Sequence, residues 1–493
     1  MILIKNPFFI IPNLNLQAMN NKQSHTKIVA TLGPASSSKE VLSKMIIEGV
    51  DVFRLNFSHS KQEEHLKLIN LIKELNTELG TNVSILADLQ GPKLRVGEIE
   101  NNRIDLKDGD IVTFVSEKCI GTKDKIYMSY QEFAADVNIG EAILIDDGKL
   151  KLEVVETNKK DTVKAKVIYG GALSSKKGVN LPNTKVSLPC LTQEDISNAN
   201  FALDNEVDWI ALSFVRKASD ILDLKELIKK KHGHAGVIAK IEKPEALLEI
   251  DQIIDLTDGV MVARGDLGVE VSFDEVPLIQ KSIISRCIAA SKPVIVATQM
   301  MESMITNFTP TRAEVNDVAN AVLDGADALM LSGETSVGKY PVETISNMQK
   351  IICHTETYGK AFDKKHTPIE GTPTFIPNSV CYNATILATQ MKAKALIAFT
   401  HSGYTAIQLS SHRPQTNILV FTSNNKLLRK MSLIWGVECF LIPAYDQIDV
   451  VITETIKFLK NSQHISDGDI VIHVGSTPLS LHGRTNTLKA SIV

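Results

Sequence analysis

Short apolar, largely β-branched runs recur along the chain, each closing on polar or glycine residues and followed by a helix-like stretch. Eight stand in order: IVATLG (28–33), DVFRLNFS (51–58), VSILADL (83–89), DWIALSFV (208–215), GVIAKIE (236–242), GVMVARGD (259–266), PVIVATQ (293–299) and ALMLSGE (328–334). Continuous apolar strands alternating with helices imply a parallel sheet covered on both faces, and eight such units are the number that closes a (β/α)8 TIM barrel. The helical stretches agree. Val41, Leu42, Met45 and Ile46 repeat at helical spacing behind Ser38, a residue suited to capping a helix.

Between the third and fourth runs the pattern changes period. Leu150, Leu152 and Val154 alternate with Lys151 and Glu153, and Val163, Ala165 and Val167 alternate with Lys164 and Lys166. A period of two, punctuated by Asp108-Gly109, Asp147-Gly148 and Gly170-Gly171, predicts a β-barrel-like insertion over 92–190. Hung from the C-terminal face of a barrel spanning 25–91 and 191–353, it would act as a lid. A proline-rich entry, TPIEGTPTFIP, leads into new strands (ALIAFT, NILVFT, DIVIHV) alternating with helical stretches such as 378–391, which predicts a smaller α/β domain over 354–493. The opening MILIKNPFFIIPNLNLQAMN is broken by Pro7 and Pro12 and lacks a small-residue cleavage site, so residues 1–24 read as a disordered leader with the start at Met1 or Met19.

Composition narrows the function classes. At 493 residues several domains are expected. Lys and Arg number 53 against 57 Asp and Glu, a net charge of −4, so no basic field exists to gather nucleic acid or anionic lipid. A small-molecule substrate follows. The six cysteines include no C-x-x-C pair and read as reduced thiols of a cytoplasmic protein, and no run approaches the roughly twenty apolar residues of a membrane span.

In barrels of this kind the chemistry sits at the C-terminal ends of the strands. Those ends are rich in polar groups: Arg54, Asn56 and Ser58; Asp88 with Lys93 and Arg95 beyond it; Lys240 and Glu242; Arg264, Gly265 and Asp266; Thr298; Ser332 and Glu334. Lys240 and Glu242 are two apart on a strand, so both leave the same face. Asp266 arrives from the neighbouring strand. Carboxylates from adjacent strands, with room for water and substrate oxygens, suit Mg²⁺, with Mn²⁺ as a substitute. The lysine beside them is placed to stabilise a transferring phosphoryl group or an enolate. ARGDLG reads as a turn into a helix, whose Gly265 and Asp266 amides make an anion nest.

The runs RLNFSH (54–59), GVNLP (178–182), VIAKIEKPEAL (237–247), MVARGDLGVE (261–270), VATQMMESM (296–304), LSGETSVGKYP (331–341) and GRTNT (483–487) closely resemble the pyruvate kinase family, in order, from Lys27 to the end of the chain. The resemblance implies transfer of a phosphoryl group from phosphoenolpyruvate to ADP, giving ATP and pyruvate, in a homotetramer. It also implies residue roles. Arg54 would hold the transferring phosphate, Lys240 stabilise the transition state, Glu242 and Asp266 ligate Mg²⁺, and Gly265, Asp266 and Thr298 bind the substrate carboxylate. Thr298 would also lie near the path of enolate protonation, with Ser332 and Glu334 as support. Arg95, Lys177 and His59 match nucleotide-contacting positions. THSGYTA (400–406), after a strand and before a helix, matches an effector loop in which Thr400, Ser402 and Thr405 would meet a sugar phosphate or nucleotide. Two other readings suit the same barrel: a lyase or mutase acting on phosphoenolpyruvate, which would not need the GVNLP lid, and a silent metabolite-sensing paralogue, against which intact Lys240, Glu242, Asp266 and Thr298 argue.

One departure stands out. Asn56, Ser58 and Asp88 match the oxygens that cage K⁺ in potassium-requiring members, but the stretch after Asp88 reads Leu89-Gln90-Gly91-Pro92-Lys93 where those resemble Thr-Lys-Gly-Pro-Glu. Leu89 offers no side-chain oxygen, and Lys93 carries a tethered cation where a glutamate would sit. The expectation is an enzyme that dispenses with K⁺.

Overall fold

A computed structural model describes residues 24–359, 361–444, 447–478 and 484–493, so the leader expected over 1–24 lies, but for Ser24, outside the described residues, as does Gly483 of the GRTNT run. Eight parallel strands close into a barrel: Lys27–Thr31, Val52–Asn56, Ser84–Asp88, Trp209–Leu212, Gly236–Ile241, Gly259–Ala263, Val294–Ala297 and Ala328–Leu331. Each of the eight apolar runs supplies one. The seam is shut by the first strand, which pairs with the second (Val29 opposite Val52) and the eighth (Lys27 opposite Ala328).

The strands are buried on both sides, and their alternation sorts them into two layers. Val29, Val52, Leu86, Trp209, Ala211, Ile238, Met261, Ile295 and Met330 fill the barrel interior. Their neighbours Ile28, Phe53, Ile85, Ile210, Val237 and Leu329 face the helical ring. Side chains two apart share a face. The parity that turns Val52, Leu86, Ala211 and Ile238 inward therefore turns Arg54, Asp88, Ser213 and Lys240 inward at the open end. The helices start as their sequences imply: Ser38 Oγ accepts from Val41 N, and Thr192 and Thr311 each form a reciprocal capping box.

The insertion is a curled sheet of six strands, in the order Val179–Asn180, Ala142–Ile145, Leu150–Thr157, Thr162–Tyr169, Ile111–Val115 and Lys125–Tyr127, with a two-stranded sheet beside it. Its apolar positions bury a core of their own around Phe114, Leu152, Val163 and Val167. Gly170 allows the turn, since a Cβ there would lie 2.3 Å from the carbonyl oxygen of Leu106. At the joints, Gly91, at φ +69°, donates its N–H to Asp195 Oδ1, and Arg216 Nη2 donates to Leu188 O at 2.5 Å.

The C-terminal domain is a five-stranded sheet in the order Val437–Leu441, Asn417–Thr422, Ala395–Phe399, Ile470–Gly475 and Thr487–Ile492, parallel but for the last strand. It seats on the N-terminal end of the barrel. Leu433 enters the interior cluster, Arg413 Nη2 pairs with Asp327 Oδ2 at 2.7 Å, and Arg429 Nε with Asp208 Oδ1 at 3.0 Å. The opposite end, carrying the polar strand termini, is thereby left to the lid. Among the described residues no disulfide joins any of the six cysteines, and no helix is long and apolar enough to cross a membrane.

Candidate active site

Four side chains meet inside the open end of the barrel. Asp88 Oδ2 accepts from Arg54 Nε at 2.6 Å, and its Oδ1 lies 3.1 Å from Lys240 Nζ. Lys240 Nζ also reaches Glu242 Oε1 at 2.9 Å and donates to Ser213 Oγ at 2.7 Å. Arg54 Nη1 donates in addition to Thr31 Oγ1 at 3.0 Å. Two cations and two anions in a buried site are electrostatically matched, which is the condition for ions to sit out of water. Burial opposes the charge on Lys240, but Asp88 and Glu242 outweigh it and raise its pKa above the ordinary lysine value. Burial likewise pushes Asp88 up, and Lys240 with Arg54 overcome it, so Asp88 is held below the usual carboxylate range. At Glu242 burial wins: helped by Asp266 and opposed by Lys240, it raises the carboxyl's pKa.

Glu242 and Asp266 are the acidic pair expected to hold a divalent cation. Glu242 Oε2 accepts from Phe214 N at 2.7 Å, a backbone donor in the left-handed region (φ +55°) that orients the carboxylate. Among the described residues no three His, Cys, Asp or Glu side chains gather into a cage. Two hard oxygen donors that repel each other, with the remaining positions open, fit a cation that keeps water and substrate oxygens, as Mg²⁺ does.

Gly265 and Asp266 lie in the first turn of the helix Arg264–Glu270, as the sequence implied. Gly265 N donates to Thr298 Oγ1 at 2.7 Å, and that hydroxyl donates to Ala297 O at 2.6 Å. Thr298 sits at φ +69°, an uncommon conformation for a β-branched residue. Its holder is Arg264, whose Nη2 donates to Thr298 O at 2.7 Å while Nη1 is 2.8 Å from Asp317 Oδ1. Ser332 N donates to Glu334 Oε2 at 2.7 Å and Met301 N to Glu334 Oε1 at 3.1 Å, so the buried Glu334 ties the ends of the seventh and eighth strands together.

The remaining expected residues sit at the rim. In the lid, Arg95 Nη1 donates to Lys176 O at 2.9 Å and Lys177 Nζ pairs with Asp146 Oδ1 at 2.8 Å. His59 is exposed, and its pKa is lowered by desolvation and by Lys93, Arg95 and Arg54. Asn56 Oδ1 accepts from Ser58 N at 3.1 Å. Lys93 is exposed at the base of the lid, whereas Leu89 is buried in the layer between strands and helices. Far from this site, Thr400, Ser402 and Thr405 line a cavity of about 420 Å³ in the C-terminal domain with Phe399, Phe421 and Arg484. Gly403 N donates to Thr400 Oγ1 at 3.0 Å, and Thr405 and Thr485 share a hydrogen bond of 2.7 Å.

Sequence reasoning passed over Ser213 and Phe214. Ser213 Oγ donates to Leu89 O at 2.6 Å while accepting from Lys240, which fixes the ammonium's height in the barrel. The signal was present, since Ser213 is two residues past inward-facing Ala211.

Family models described as "Pyruvate kinase, barrel domain" and "Pyruvate kinase, alpha/beta domain" match residues 23–345 and 378–491. A pyruvate kinase of Geobacillus stearothermophilus is 40% identical over 95% of this chain and 80% of its own length. One of Agrobacterium vitis is 42% identical over 94% of this chain and 98% of its own. A crystal structure of a pyruvate kinase from Cryptosporidium parvum superposes with a TM-score of 0.89 at 33% identity, covering 98% of each chain.

Proposed function

Since the chain belongs to the pyruvate kinase family, a phosphotransferase family that moves the phosphoryl group of phosphoenolpyruvate to ADP and yields ATP and pyruvate, we propose how its own residues divide that work. Arg54 and Lys240 take the transferring phosphoryl group between them. Glu242 and Asp266 hold Mg²⁺, or Mn²⁺ in its place. When bound, the cation would neutralise developing charge and fix oxygens in line. The Gly265 and Asp266 amides with Thr298 receive the substrate carboxylate, and Ser332 on Glu334 completes that wall. From the lid, Arg95 and Lys177 meet the nucleotide phosphates, with His59 at the rim.

The observation that carries this reading is the Lys240 ammonium, buried beside Arg54 and held by Asp88, Glu242 and Ser213. A preorganised charge of this kind is what phosphoryl transfer needs, because that reaction asks for positioning and neutralisation more than covalent help. The test is a coupled assay for pyruvate with ADP, Mg²⁺ and K⁺ omitted in turn. Pyruvate formation that persists without ADP would point instead to a lyase or mutase.

The same assay addresses potassium. With Leu89 buried, only Asn56, Ser58 and Asp88 remain of the cage, and the exposed Lys93 supplies a tethered cation near them, so K⁺ is dispensable in this reading. The C-terminal cavity, with its hydroxyl-rich Thr400–Thr405 loop and Arg484, is proposed to bind a sugar-phosphate or nucleotide effector. The domains are taken to divide at 25–91 with 191–353, 92–190 and 354–493. Exposed Phe273 and Leu278 support association of copies, taken as a homotetramer and checked by light scattering. The location is taken to be the cytoplasm.

A further inference from the structure

Glu270 closes the helix that begins at Arg264, one turn beyond Asp266 and on the same side. Its side chain is 1% exposed, yet it carries a charge. Oε1 accepts from Lys243 Nζ at 2.5 Å and from Asn180 Nδ2 at 2.9 Å. Lys243 directly follows Glu242. Asn180 belongs to the lid, 90 residues away in sequence. One carboxylate oxygen therefore gathers the end of the fifth barrel strand, the helix bearing Asp266, and the lid.

The geometry points to Glu270 as a positioning residue for the reaction, a catch that holds the lid's Asn180 against the elements carrying the two acidic metal ligands. The reason lies in what Asn180 is attached to. Its strand pairs with Ala142–Ile145, Val179 opposite Ile145 and Asn180 opposite Leu144. Lys177 lies three residues before it, at most about 10 Å of chain. Asp146, the ion-pair partner of Lys177, follows Ile145 on the paired strand. Fixing Asn180 thus fixes the height of Lys177 above the barrel. Gly148, on the same turn, approaches Val269, and a Cβ built there would lie 3.9 Å from Val269 Cγ1, so this edge of the lid rests on the Glu270 helix. Among the described residues Glu270 Oε2 is buried without a hydrogen-bond partner, so the carboxylate leans on these two donors. A buried charge loses heavily when a donor is withdrawn, and charge-assisted hydrogen bonds of this kind are each worth tenfold or somewhat more in an equilibrium constant.

The consequence for catalysis rests on the reading that Lys177 meets the nucleotide, so the experiment separates the two. Asn180→Asp, Asn180→Ala, Glu270→Gln and the exchanged pair Asn180→Asp with Glu270→Gln are compared with Lys177→Ala. Hydrogen exchange of the 176–182 and 264–271 segments reports the catch. Half-saturation by ADP and by phosphoenolpyruvate reports its role. Asn180→Asp sets two carboxylates together and should increase exchange in both segments and raise the KM for ADP by about tenfold, leaving that for phosphoenolpyruvate within about twofold. Asn180→Ala should do the same to a lesser degree. The exchanged pair reverses donor and acceptor and should return both readouts most of the way. Protection unchanged in Asn180→Asp, or an exchanged pair no better than that single variant, would overturn the catch. A Lys177→Ala enzyme with unchanged KM for ADP would instead sink the nucleotide reading, while hydrogen exchange still judges the catch.

Discussion

Replacing Lys240 by Met removes one positive charge and keeps most of the aliphatic stem, so it tests the charge more than the packing. Lys240 faces Asp88, Glu242 and Ser213 at 3.1, 2.9 and 2.7 Å, and the raised pKa keeps it an ammonium throughout the working pH range. Loss of one preorganised donor from a developing anion costs about 3–4 kcal/mol, or two to three decades in rate. The coupled pyruvate assay should show that fall in kcat, with a smaller change in the KM for ADP.

The same change has a stability signature with a definite sign. Without the ammonium, Asp88 keeps Arg54 at 2.6 Å, whereas Glu242 keeps, among the described residues, the Phe214 N–H at 2.7 Å. Glu242 is already raised by burial, so it is the group that takes up a proton. A carboxyl whose folded pKa exceeds its unfolded value is bound more tightly by protons in the native state, so native stability rises as pH falls through the folded pKa. Breaking a buried pair costs about 3–5 kcal/mol with the carboxylate charged, and less once it is neutral. The melting deficit of Lys240→Met against the parent should therefore shrink as the pH is lowered. An enzyme within tenfold of the parent, or a deficit that grows on acidification, would refute the reasoning.

Four further outcomes follow from the same contacts. Arg264→Leu releases the Thr298 carbonyl and should lower kcat by about 10–100-fold while the unfolding midpoint moves little, read in parallel assays and melts. Thr298→Ser should retain most activity and Thr298→Ala should lose proton delivery, seen as slower exchange of pyruvate methyl protons with solvent. Replacing K⁺ by a bulky organic cation should leave the parent's rate nearly unchanged, whereas Lys93→Glu should make the rate depend on K⁺. Arg413→Met strands the buried Asp327 at the domain junction and should cost about 3–5 kcal/mol, seen as a lower urea midpoint for the barrel and C-terminal domain together.

The barrel was legible because its strands are buried on both faces, and that demand leaves continuous apolar runs which few other elements produce. Arg54, Asp88, Lys240 and Glu242, which the structure brings together, were legible as candidates for a related reason, since a charge at the end of such a run has a site as its natural company. Ser213 lacked that contrast. A serine after WIAL resembles an ordinary strand exit, and only the inward parity of Ala211 marks it. Arg264 was noticed, but its partner Asp317 lies 53 residues on, on a surface helix whose pattern betrays nothing. Glu270 and Asn180 were hidden more deeply. One closes a helix and the other sits in a two-residue strand, and their bond exists only once a separate domain folds back over the barrel.

The charge states also constrain the second half of the reaction, in which the enolate must accept a proton at carbon. Lys240 is an unsuitable donor, because Asp88 and Glu242 bind its ammonium too firmly for it to release a proton at neutral pH. Thr298 has a single proton, and it is directed to Ala297 O while the oxygen accepts from Gly265 N. A substrate carboxylate arriving at this nest competes for the Gly265 N–H and for the hydroxyl proton together. On the proposed roles, binding would break the internal pair and free the hydroxyl from Ala297 O. The hydroxyl would then have to regain from water whatever proton it gives, so the acid of this step would be a relay through Thr298 rather than any one charged side chain.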